Sequence, residues 1–153
     1  MDDFEKRLRA HDWASEPRSR WHASEHAPGA LMKAWRGEPG SGDALMDSLA
    51  HDHSGSWYPV LLPAMPFIGE IIRRAPPDGV LAALEFLAVL VWSFDVDPET
   101  SRDPDGDERA WRDALWALYP DIRRASGFGR LVDDLAEGIE SRLAGDRGLA
   151  SAE

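Results

Sequence analysis

The stretch HDHSGSWYPVLLPAMPFIGEII, residues 51–72, places His51, Asp52 and His53, then Pro59, Pro63 and Pro66, around an apolar run. It reads either as a metal or catalytic cluster or as the corner between two helices. The prolines favour the corner. A helix beginning near Pro63 holds Pro63 and Pro66 in its first turn, where backbone N–H groups lack intrahelical acceptors. Gly55 supplies a turn, Tyr58-Pro59 stays extended, and Phe67-Ile68 begins to bury at once. The histidines add no metal geometry. His51 and His53, two apart, would point about 200° apart on a helix. His22 and His26, four apart, could share a helix face, yet no HExxH pattern surrounds them and further ligands are missing. The expectation is no metal and no cofactor.

Along the rest of the chain helix signals dominate and strand signals are nearly absent. Phe4, Leu8 and His11 mark a first helix; Leu31, Ala34 and Trp35 mark a second, stopped by Gly37 and Pro39. Between them the segment around Trp21 is either a helical turn or an irregular connection. A third helix runs through Ala44, Leu45 and Leu49 to about His51. The fourth carries Phe67, Ile68, Ile71 and Ile72 and ends at Arg73-Arg74, where cations suit the helix dipole and Pro76-Pro77 blocks extension. The fifth has the stripe Val80, Leu84, Leu87, Val91, Phe94. Leu81, Phe86, Val89, Leu90 and Trp92 on its other faces predict a central helix buried all round. Trp111, Leu115, Leu118, Ile122 and Ala125 give a sixth, bent or broken at Pro120. Leu131, Leu135, Ile139 and Leu143 give a seventh, stopped near Gly145, with residues 145–153 as a frayed tail. The fold class is all-α, one domain over residues 1–153, built of antiparallel helix pairs. A compact bundle of six to seven helices and an α-solenoid both fit, and no sheet is expected.

The chain has 153 residues, 43% of them hydrophobic, and no cysteine, which excludes disulfides, thiolate metal sites and a cysteine nucleophile and fits a reducing cytoplasm. The acidic start is no secretory signal. The apolar stretch from Val80 to Phe94 is too short to span a bilayer, so a soluble, cytoplasmic protein that does not engage membranes is expected. The formal charge is −11, and all of the excess lies after Arg36. Nucleic-acid binding needs the opposite sign; a basic protein surface would be attracted.

Seven acids against the single Arg102 fall between Asp95 and Glu108. A calcium loop is excluded: with Gly106 in sixth position, Ser101 and Arg112 would occupy the first and twelfth. Asp105 with Glu108 reads as a helix cap. Asp95, Asp97, Glu99 and Asp103 are left without structural duty, and are either a solvated surface or the electrostatic part of a partner interface. Trp57, expected in an exposed turn, is the matching anchor, while Trp92 and Trp111 are expected in the core. Glu85 is the one carboxylate that could be buried, although a single acid without a partner base is more often at the edge of the core beside an arginine. No nucleophile elbow, phosphate loop or dinucleotide fingerprint is present, so no catalytic residues are assigned.

His53-x-Gly55-x-x-Tyr58-Pro59 followed by Pro63-Ala64-x-Pro66-Phe67 resembles a corner of bacterial HEAT-repeat-like proteins, over roughly residues 43–94. Ser54, Ser56 and Trp57 depart from its usual aliphatic residues. The resemblance implies a repeat-like helical scaffold, corner roles for His53 and Gly55, and no catalytic residues. Some proteins that look like this are immunity proteins of bacterial toxin systems. The expected function is therefore a non-catalytic protein-binding module, most concretely an immunity protein blocking a basic toxin by occlusion. A general adaptor for a protein or peptide client is the alternative, and a small helical enzyme the remote one.

Overall fold

The computed structural model describes residues 1–17 and 24–152, with side chains described through residue 143. The Trp21 segment and the pairing of His22 with His26 lie outside the described residues. Seven α-helices are described: α1 (Asp3–Ala10), α2 (Ala27–Arg36), α3 (Ser41–Leu49), α4 (Leu61–Arg74), α5 (Pro77–Ser93), α6 (Pro104–Arg124) and α7 (Gly129–Ala152). Their stops follow the expected chemistry. Gly37 caps α2 in the left-handed conformation at φ 68°, and Pro77 opens α5 in its first turn. The consecutive pairs α2–α3, α4–α5 and α6–α7 stack side by side, with α2, α4 and α6 in one layer and α3, α5 and α7 in the other. In α6–α7 the Arg123–Asp133 ion pair at 3.3 Å and the Tyr119–Glu140 hydrogen bond mark antiparallel packing. Arg73 reaches Asp121 at 2.9 Å, so α4 and α6 run in the same direction.

Close approaches between layers need small residues. Gly79 in the first turn of α5 lies against the backbone of Ala34 in α2, where an added Cβ would sit only 3.0 Å from the carbonyl carbon and closer still to its oxygen. Gly69 of α4 leaves room for the side chain of Leu118 in α6.

Several expectations are corrected. A small sheet exists: β1 (Ala50–His51), β2 (Ser56–Trp57) and β3 (Asp95–Val96), two residues each, too short for period-two patterning to register. α4 starts at Leu61, ahead of Pro63, so Pro66 lies inside the helix on its exposed side. α6 continues through Pro120, which is also exposed, so the carbonyl that the ring leaves unbonded can face water. α7 does not stop near Gly145 but runs to Ala152; a single glycine costs a helix about 1 kcal/mol without ending it. α5 is not buried all round, because Leu81, Val89 and Trp92 stand exposed.

Glu85 is exposed, and among the described residues the buried carboxylate is Glu70 of α4. Arg7 of α1 binds both Glu70 oxygens at 2.7 and 2.6 Å, and Arg74 reaches one at 3.2 Å. This ties the first helix to the core across 63 residues of chain. A second tie is Asp2, the N-cap of α1, which accepts from the Glu5 backbone N–H at 2.8 Å and from Trp35 Nε1 at 2.9 Å. The Glu5 hydrogen bond first, and the Trp35 hydrogen bond second, hold the Asp2 carboxyl below its ordinary value of 3.8. Folding thus favours the charged form, so this stabilisation is complete above the ordinary value and is lost as pH falls through the lower folded one. Docking of α1 is expected to loosen as pH falls below that ordinary value of 3.8, read by Trp35 emission and amide exchange in α1. Asp2→Asn should remove that step, and an identical acid profile in the variant would contradict the assignment.

Candidate functional site

The corner of residues 51–58 and the acidic connection after α5 lie far apart in sequence, and the small sheet joins them. β1 and β2 pair antiparallel, Ala50 opposite Trp57 and His51 opposite Ser56. Gly55 makes the turn possible at φ 65° and donates its N–H to the His51 carbonyl at 3.0 Å. β2 then pairs with β3 in parallel, Ser56 opposite Asp95 and Trp57 opposite Val96. The Asp95 N–H donates to the Gly55 carbonyl at 3.2 Å and the Asp97 N–H to the Trp57 carbonyl at 2.8 Å. These bonds fix the acidic connection against the corner.

Between them opens a cleft of about 420 Å³. One wall is His51, Ser54, Ser56 and Tyr58; the other is Asp97, Pro98 and Glu99. His51 Nδ1 lies 2.7 Å from Ser54 Oγ, which lies 2.6 Å from Ser56 Oγ, so the first wall is a short hydrogen-bonded relay. Thr100, buried, donates its hydroxyl to Asp97 and steadies the second wall. Glu99 is exposed and forms no side-chain hydrogen bond or ion pair among the described residues. A histidine beside a serine is also the start of a nucleophilic pair, but such a base is held by a third group. Among the described residues no carboxylate bonds the other nitrogen of His51. Nor does any group of three or more histidines and acids converge as a metal site among them. His51 and His53 pack as rings, 5.9 Å between centroids. What the arrangement can do is accept hydrogen bonds and positive charge.

The expected site residues divide. Asp97 and Glu99 line the cleft. Asp95 is largely exposed and pairs with Arg142 of α7 at 2.7 Å. Asp103 does have a structural duty: it is the N-cap of α6 and accepts from the Gly106 N–H at 3.1 Å, the role expected of Asp105. The helix starts two residues earlier than the Asp105–Glu108 spacing implied, because Pro104 fits its first position. Trp57 is corrected outright. It is fully buried against Trp111, their ring centroids 5.4 Å apart, with the Arg142 guanidinium over Trp111 at 5.0 Å. It is not an exposed anchor, and among the described residues the exposed tryptophan is Trp92, expected in the core. Sequence reasoning missed Ser54, Ser56 and Tyr58 as lining residues. The signal available was the alternation Ser54-Gly55-Ser56 at a turn glycine.

No family model, no curated protein and no solved structure matches this chain. Among the described residues, no helix is long and apolar enough to cross a membrane.

Proposed function

We propose that this chain is a non-catalytic protein-binding module whose partner presents a basic surface, and that it acts as an immunity protein that occludes a toxin. The observation that carries the reading is the cleft: two separate segments are locked together by the β2–β3 pairing, and the product is an acid-lined opening. A net charge of −11 adds a long-range field that speeds capture of a cationic partner. The toxin-directed part leans on the resemblance of the corner to HEAT-like proteins. The size of the cleft favours a second reading, because 420 Å³ holds a few side chains and suits an adaptor gripping a basic peptide.

The test is to copurify the partner from the native host and titrate its activity with this protein. Inhibition complete at one-to-one stoichiometry is the expected result. Binding without inhibition would select the adaptor, and chemical change of the partner by catalytic amounts of the protein would contradict both.

A further inference from the structure

Leu81, Val89 and Trp92 of α5 stand 36%, 41% and 54% exposed and, with Met1, are the large apolar side chains most open to water among the described residues. At 3.6 residues per turn they fall, with exposed Glu85, in an arc of about 80°. The arc lies on the outer side of the α3–α5–α7 layer. On one flank Ala82 lies against Gly42 of α3; on the other the Trp92 indole covers Gly138 of α7, where an added Cβ would meet the ring at 3.0 Å. Charge separates by layer. Through residue 143, α3, α5 and α7 carry eight carboxylates against two arginines, whereas α2, α4 and α6 carry six against eight lysines and arginines. The exposed apolar stripe therefore lies on the acidic layer.

We propose that this face docks a cationic amphipathic helix of the protein partner. Its apolar side would cover Leu81, Val89 and Trp92, and its lysines or arginines would reach Glu85 within the stripe. The inference rests on the partner-binding reading and names the chemistry of that partner. The carboxyl end of α5 abuts the corner, since an added Cβ at Gly55 would lie 3.7 Å from the backbone oxygen of Ser93, the neighbour of Trp92. A second copy of this chain is disfavoured, because two faces of like charge would meet.

The test titrates the ¹⁵N-labelled chain with a synthetic lysine/leucine amphipathic helix and with a scrambled peptide of the same composition. Saturable shifts are expected along residues 81–92 with the helical peptide and not with the scrambled one. Trp92→Ala and, independently, Val89→Ser should each weaken binding by roughly tenfold. Val89→Ser keeps the test valid if Trp92→Ala disturbs α7. Equal binding of the scrambled peptide would reduce the effect to net charge and overturn the proposal, as would dimerisation of the chain through Trp92. Shifts confined to residues 51–58 and 95–99 would overturn this face while leaving the cleft reading intact. Shifts confined to α5 would support the face and count against the cleft.

Discussion

Replacing Trp57 by alanine is expected to lower the free energy of unfolding by about 3–5 kcal/mol, a large share of the roughly 5–15 kcal/mol typical of a domain. The side chain is fully buried and fills the space between the corner and α6, against Trp111. Truncation leaves a cavity that the hydrogen-bonded sheet on one side and a helix on the other cannot close. Trp57→Phe should cost much less. The Trp57 indole N–H has no hydrogen-bond partner among the described residues. Removing it returns part of a desolvation penalty of about 1–3 kcal/mol, which offsets the lost ring area. Urea denaturation of the two variants reads the difference. A Trp57→Ala midpoint equal to that of the wild type would return Trp57 to the surface and undo the account of the corner.

Gly79→Val is expected to cost about 3 kcal/mol or more, at the upper end of overpacking effects. The clash is with the Ala34 backbone, which no rotamer change relieves, so α5 must move away from α2. Helix propensity works the other way but is small, about 1 kcal/mol at most for removing a helical glycine. Gly29, in the first turns of α2, isolates that smaller effect, since an added Cβ there meets nothing within 4 Å. Gly29→Ala should therefore stabilise by about 0.5–1 kcal/mol. Thermal unfolding of both variants decides between them; a harmless Gly79→Val would mean that α2 and α5 are not in backbone contact.

The helices were legible because their signals are local. Gly37 and the Pro76-Pro77 pair acted where they stand, and the Val80–Phe94 stripe is buried along its length. Burial of the opposite face was not legible. Apolar residues all round α5 look the same whether its last face is covered by a neighbour or left open, and so Trp57 and Trp92 exchanged roles. Trp57 is buried by pairing with a strand some forty residues on and by Trp111, contacts that no local pattern records. The same holds for Glu70, whose partner Arg7 is 63 residues away. The acidic residues of the candidate site were visible in composition. Their geometry was not: Asp103 turned out to cap α6, and the sheet that sets Asp97 and Glu99 opposite His51 has strands of two residues.

The acids at the mouth of the cleft are proposed to capture a basic partner. The direct measurement is the association rate of the copurified partner across a salt series, for the wild type and for Asp97→Asn combined with Glu99→Gln. Asp103 is left in place because loss of an N-cap costs about 1 kcal/mol. At roughly 0.01 M salt, where the Debye length is about 30 Å, the variant is expected to associate more slowly by roughly threefold or more. The gap should narrow near physiological salt, where that length is about 8 Å. Equal rates and equal salt slopes would contradict the claim and leave the loop as a solvated surface.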